Sequence, residues 1–358
     1  MQTLRILLIP FSLLYGLAVF CRNALYDIGV FRSHSFKLPV ILVGNLSTGG
    51  TGKTPHVDYL IRLLKPGYKV ATLSRGYGRE TKGYREATLH CSVTEIGDEP
   101  LLYKTRHPDV VVTVCEDRAS GIRTILKQHP EIQVIIMDDG FQHRRVKPGF
   151  SLLLTPWQKP WFRDYLLPAG NLREQSSGRH RANCAVITRT PADASPEMMS
   201  ALRGKADLHH GKPVFFSSIQ YGSPLPVFKD APTFPERPAK VVLFAGIADA
   251  DRFVAYAESK FGEVDATLFS DHHIFTEREL VDLSEKYQQW HLQTGNAVLL
   301  TTEKDAMRLR TGSDASSLSS LPLYYLPIDV VFHQETASFD AIIHNYVEQN
   351  QRNSAVRT

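Results

Sequence analysis

Lys53 and Thr54 close a run, Ser47-Thr48-Gly49-Gly50-Thr51-Gly52, set between an apolar β-branched stretch from Leu38 to Val43 and helix-forming residues from His56 to Leu64. A strand, a glycine-rich turn and a helix in that order make a phosphate cradle. Glycines let successive backbone N–H groups converge on phosphate oxygens, and the helix N-terminus adds positive potential. A lysine there reaches the outer phosphates and a threonine hydroxyl meets Mg²⁺. The ligand this spacing asks for is a nucleoside triphosphate with Mg²⁺.

Other chemistry-bearing residues sit where strands should end. Glu131 to Asp139 reads as an apolar strand closing on two acids, Asp138 and Asp139, the arrangement that orients Mg²⁺ behind a phosphate loop. Two adjacent strand-end acids are costly to bury without a cation or partner. Asp98, in Gly97-Asp98-Glu99-Pro100, either caps the helix that follows or takes the proton of an attacking hydroxyl. Arg75 and Arg79 lie in a loop after the Lys69–Leu73 strand, as phosphate contacts or as ordinary surface arginines. His143 stands beside Arg144 and Arg145. Asp271, His272 and His273 end a later strand, without a third metal ligand at useful spacing, so a base or substrate-orienting role suits them better than a metal.

These residues need elements to hold them. The 358-residue chain is 43% hydrophobic and 22% charged, enough for two globular domains, with a net charge of +4 that suits an acidic ligand or anionic membrane but not nucleic acid. Its four cysteines are scattered, consistent with a reduced compartment. The expected fold class is α/β, a P-loop NTPase-like, mostly parallel sheet with helices on both faces, plus a second, smaller α/β domain. Expected boundaries are 1–36 for an N-terminal membrane-docking segment, 37–205 for the core, 206–238 for a Pro/Gly-rich link, and 239–358 for the smaller domain with its terminal helix. Ile6 to Cys21 is apolar and flanked by Arg5 and Arg22, and as a helix it runs roughly 24 Å, short of a bilayer crossing. It reads as a helix lying in the membrane interface, with a buried first helix as the alternative.

The strings VGNLSTGGTGKTP, LSRGYGR, GDEP, VIIMDDGFQH, PAGNLRE, SDHHIF and TTEKDA, in this order from about Leu4 to Asp305, resemble the tetraacyldisaccharide 4'-kinase family, the lipid A 4'-kinases of Gram-negative envelopes. The resemblance implies an enzyme on the cytoplasmic face of the inner membrane that uses ATP and Mg²⁺ to phosphorylate the 4'-hydroxyl of a tetraacylated disaccharide 1-phosphate. It implies that residues 47 to 54 bind the nucleotide and that Lys53 and Asp139 serve catalysis. Thr54, Asp138 and Asp139 then face the metal, and Asp98 is the base, oriented by the first or second histidine of the DHH run, with His272 preferred. Arg75, His143, Arg173, Glu174 and His273 are candidates for acceptor contacts, and the basic stretch Arg173 to Arg181 for the acceptor's 1-phosphate. Partners expected are the acylated disaccharide and the inner-membrane surface, with no nucleic acid and no obligate protein partner.

Ser47 stands where the strict loop has glycine, and Gln175 where the family's usual proline follows LRE. The rival reading is a membrane-switch ATPase that dimerises on ATP. Such switches carry a signature lysine where this chain has Thr48.

Overall fold

The computed structural model describes residues 5–209, 211–229, 231–311 and 316–355, so residues 1–4, 210, 230 and 356–358 of the expected units lie outside it, as do 312–315. After helix α1 (Ile9–Asp27) the chain runs β1 (Val40–Asn45), α2 (Lys53–Leu64), β2 (Val70–Ser74), β3 (Arg85–Glu86), α3 (Val93–Ile96), α4 (Asp98–Arg106), β4 (Val111–Val114), α5 (Arg118–Gln128), β5 (Val134–Asp138), β6 (Phe150–Pro156), β7 (Cys184–Thr188), α6 (Pro196–Lys205) and β8 (Val214–Tyr221). A second series follows: β9 (Leu225–Pro226), β10 (Lys240–Ala245), α7 (Ala250–Phe261), β11 (Val264–Leu268), α8 (Glu277–Thr294), β12 (Ala297–Thr302), α9 (Glu303–Thr311), α10 (Ser316–Ser319) and β13 (Leu323–Leu326). The chain ends with β14 (Ile328–Phe332) and α11 (Thr336–Ala355).

The larger sheet has nine strands in the order β14-β8-β7-β6-β1-β5-β2-β4-β3, parallel except at its two edges, where β14 and β3 run antiparallel to their neighbours. Every residue of β1 is buried, because it pairs with β5 on one side and β6 on the other and helices cover both faces. Val57, Leu60, Ile61 and Leu64 form the apolar stripe of α2 and pack under one face with Phe339, Ile343 and Val347 of α11. Ile122 and Ile125 of α5 and Leu202 of α6 cover the other. From β1 the chain moves towards β2, whereas from β5 it moves back across to β6. The order therefore reverses about β1, and the glycine-rich loop sits at the carboxyl end of that strand, where open α/β sheets bind ligands.

The smaller sheet has the order β11-β10-β12-β13-β9, parallel except for β9. Strand membership changes the composition-based boundaries in two places. β8 lies within the expected link yet pairs with β7 in the larger sheet. β14 and α11, expected with the smaller domain, return to the larger one, where the Tyr346 hydroxyl bonds the Val40 carbonyl at 3.2 Å.

Helix α1 is amphipathic in an inverted sense. Its small and polar residues face the protein: the Ser12 hydroxyl donates to the Leu166 carbonyl at 3.0 Å, and Tyr15 to the Arg173 carbonyl at 2.7 Å. A Cβ on Gly16 would lie 2.7 Å from Leu166 Cδ1, so any side chain there would require Leu166 to shift. Leu13, Leu14, Leu17 and Phe20 are exposed on the opposite side, which rules out a core helix.

Candidate active site

The loop from Ser47 to Gly52 leaves β1 and enters α2 with Gly49 at φ +92° and Gly52 at φ +85°, values glycine adopts at little cost. Thr48, Gly49 and Gly50 are exposed and Thr51 is buried, pinned by the Asn45 side-chain amide at 2.9 Å and, through its carbonyl, by the Thr188 hydroxyl at 2.9 Å. Below the loop, His56 Nδ1 is 2.7 Å from the Gly52 carbonyl and Nε2 is 3.0 Å from the Ser217 hydroxyl. Burial holds this imidazole neutral, its pKa pushed down to about 4.

Lys53 reaches Asp139, with Nζ 3.6 Å from Oδ1, and Arg173 Nη1 donates to both oxygens of Asp139 at 3.1 and 3.2 Å. Asp139 holds φ +48°, a strained value for a residue with a side chain. Burial opposes its charge, but Lys53 and Arg173 keep its carboxyl below the usual range. Asp138 differs: the Tyr103 hydroxyl donates to Oδ2 at 2.8 Å, while Oδ1 is buried with no hydrogen-bond partner in the protein. Burial, reinforced by the nearby charge of Glu99, pushes its pKa up to about 7. A buried carboxylate oxygen left unpaired beside a second acid suits a hard cation with oxygen ligands. No group of three or more His, Cys, Asp or Glu side chains able to hold a metal exists among the described residues. The residues that could hold Mg²⁺ are Thr54, Asp138 and Asp139, with Asp138 Oδ1 the one without a partner in the protein.

Helix α4 opens with two acids that point to different partners. Glu99 Oε1 accepts from the Thr54 hydroxyl at 3.0 Å and from Lys304 Nζ at 2.8 Å. Asp98 Oδ1 accepts from the Glu99 N–H at 2.9 Å, and Oδ2 lies 3.0 Å from His272 Nδ1 and accepts from Arg308 Nη2 at 2.5 Å. Gly97, not Asp98, is the residue that caps this helix. Burial opposes ionisation of Asp98, but the His272 hydrogen bond with the Lys304 and Arg308 charges holds its carboxyl well below the usual range. His272 answers in kind: its bond to Asp98 raises its pKa. Its backbone too is left-handed, at φ +60°. With Nδ1 turned to Asp98, the half-buried ring leaves Nε2 on the other side, 3.8 Å from Asp271.

The remaining candidates divide. His273 turns away: Nε2 lies 2.9 Å from Glu279 Oε2 and the ring stacks on Phe269. Arg75 is exposed. His143 has a buried, unpartnered Nε2, and burial and Arg118 push its pKa down to about 4. Glu174 is buried, with both oxygens bound by Arg181 at 2.9 and 2.8 Å and one by Gln142 at 2.9 Å. Arg179 donates to the Ser176 and Asp207 carbonyls. The basic stretch from Arg173 to Arg181 is thus largely engaged within the protein. Sequence reasoning gave no separate role to Glu99, Tyr103, Lys304 or Arg308. Glu99 and Lys304 lie inside the strings GDEP and TTEKDA, which was the signal available for them.

A buried parallel strand, a glycine-rich loop at a helix N-terminus and two strand-end acids at the point where strand order reverses define the class of P-loop phosphotransferases. Within it the chain belongs to the tetraacyldisaccharide-1-phosphate 4'-kinase family, whose description it matches over residues 4–348. Proteins named tetraacyldisaccharide 4'-kinase include one from Bacteroides fragilis, strain YCH46, 38% identical over 98% of this chain and 95% of its own length. Another, from Flavobacterium psychrophilum, is 40% identical over 99% of this chain and 100% of its own. Among solved structures, LpxK from Aquifex aeolicus, crystallised in complex with ATP, superposes with a TM-score of 0.73 at 32% identity, covering 96% of this chain and 99% of that one.

Proposed function

We infer that this protein transfers the γ-phosphoryl group of ATP to the 4'-hydroxyl of a tetraacylated glucosamine disaccharide 1-phosphate, working from the cytoplasmic face of the inner membrane. The observation that carries the reading is the pair of consecutive acids opening α4. Glu99 bonds Thr54 at the phosphate end, and its neighbour Asp98 bonds His272. One helix start thus joins the two ends of an in-line transfer.

Phosphoryl transfer asks chiefly for alignment and charge stabilisation. Backbone N–H groups from Ser47 to Thr54 cradle the phosphates and Lys53 balances charge on the transferred group. Thr54, Asp138 and Asp139 would hold Mg²⁺, which would supply charge neutralisation at the phosphates. The acceptor hydroxyl gives its proton to Asp98, whose carboxylate is oriented by the His272 imidazole 3.0 Å away. Arg173 holds Asp139 in place. The exposed apolar side of α1 docks in the membrane interface, which brings the site to an acceptor that resides there.

The test is transfer of labelled γ-phosphate from MgATP to tetraacyl disaccharide 1-phosphate in detergent micelles, with Lys53→Ala as the blank. Label in the lipid, absent from the blank, supports the reading. Phosphate released at one rate with or without lipid would replace it with a switch ATPase.

A further inference from the structure

Helix α9 begins as β12 ends, and three of its first six residues leave their own sheet to grip α4. Glu303 pairs with Arg106, Lys304 with Glu99 and Arg308 with Asp98. The last contact is the most closely built. Arg308 Nη1 donates to Asp305 Oδ1 at 2.5 Å and to the Gly246 carbonyl at 2.9 Å, while Nη2 donates to Asp98 Oδ2 at 2.5 Å. Asp305 is itself fixed, with Oδ2 accepting from the Gly246 N–H at 3.0 Å and the Thr302 hydroxyl at 2.6 Å. The side chains of Arg308 and Asp98 are only 6% and 4% exposed.

We propose that Arg308 is a positioning residue for phosphoryl transfer: it sets the orientation of the Asp98 carboxylate and, through it, of the His272 imidazole. Neutralising a buried acid needs only a nearby cation, which Lys304 already provides one residue away at Glu99. Arg308 supplies geometry instead. Its planar fork spans two carboxylates, one nitrogen on each, so the loop after β10 and the start of α9 dictate where Asp98 Oδ2 lies. His272 Nδ1 meets that same oxygen, and Arg308 Nη2 lies 3.4 Å from the ring nitrogen. Without the guanidinium, Oδ2 keeps His272 alone and the carboxylate can turn away from the acceptor.

This proposal rests on the reading of Asp98–His272 as the acceptor-activating pair, and the experiment separates the two. Turnover and KM for MgATP are measured for Arg308→Ala, Arg308→Lys, Asp98→Asn and the Arg308→Ala/Asp98→Asn double variant, with thermal midpoints alongside. Expected is a kcat loss of roughly 10- to 100-fold for Arg308→Ala, the scale of a misplaced catalytic group, with KM for MgATP within about threefold of wild type. Millimolar guanidinium should restore part of that rate, and Arg308→Ala should cost nothing further on Asp98→Asn. Arg308→Lys should fall between, and it carries the test alone if Arg308→Ala does not fold. Wild-type kcat in Arg308→Lys, or losses that multiply in the double variant, would overturn the proposal while leaving the pair's role intact. Wild-type turnover of Asp98→Asn would instead overturn the pair, and the positioning role with it.

Discussion

His272 Nδ1 lies 3.0 Å from Asp98 Oδ2, although 174 residues separate the two along the chain. Asp98 opens a helix packed on the larger sheet, and His272 follows a strand of the smaller one. The acceptor end of the site is therefore assembled between two sheets, whereas the glycine-rich loop and the strand-end acids lie on the larger one.

That division predicts separable losses. Asp98→Ala should leave MgATP affinity within a few-fold of wild type by calorimetry and cut turnover on the order of 10²-fold or more, the usual worth of a general base. His272→Ala should behave alike. His273→Ala should retain near-normal turnover, because its ring turns to Glu279 and Phe269 and not to Asp98. Equal impairment of both histidine variants would contradict the assignment.

Lys53→Met should weaken MgATP binding at least about tenfold, since it removes the cation that meets the outer phosphates. Its thermal midpoint should change little, because Asp139 keeps Arg173 at 3.1 Å. A large fall in midpoint would mean that Lys53 serves chiefly to neutralise half-buried Asp139.

Much of the phosphate end was legible in the sequence because it is local: loop, lysine, threonine and strand-end acids each follow from spacing within one or two elements. The histidine choice was not. His272 and His273 are adjacent, and only the turn at φ +60° sends the first towards Asp98 and the second onto Phe269. Arg308 was less visible still, because its partner lies 210 residues away and no spacing rule joins them. The return of β14 to the larger sheet escaped notice for a related reason. Ile328–Phe332 alternates as an edge strand does, and its pairing with β8 depends on a neighbour a hundred residues earlier in the chain.

His56 predicts an acid-labile phosphate loop. Its folded pKa is depressed from 6.5 to about 4 by burial, so the folded state favours the neutral ring. The unfolded chain protonates first as pH falls below 6.5, so the stabilisation is complete above that value, declines between 6.5 and about 4, and is gone below. A depression of this size corresponds to about 3 kcal/mol. Denaturant titrations at pH 7, 5.5 and 4.5 should show a shallower loss for His56→Gln than for wild type. A residual slope remains, because His143 is depressed to about 4 in the same window. Identical slopes would place the ring's titration outside this range.

The two faces of α1 predict opposite outcomes for two kinds of substitution. Leu13, Leu17 and Phe20 are 69%, 60% and 54% exposed, so replacing all three with serine removes little packing and should leave the thermal midpoint nearly unchanged. Side chains of this kind are worth roughly 1.5–3 kcal/mol each when withdrawn from water, so the triple variant should lose at least about 10³-fold in partitioning to anionic vesicles. Gly16→Leu acts on the other face: its new side chain runs into Leu166, already 2.7 Å from the position of a Cβ. That variant should lower the midpoint by prising α1 off the Leu166–Arg173 segment while leaving its apolar side intact for lipid. Vesicle flotation and thermal unfolding of both variants give a crossed pattern if α1 is fastened by its small-residue face and docks by its apolar one. If the triple serine variant floats like wild type, the lipid contact must lie elsewhere on the molecule.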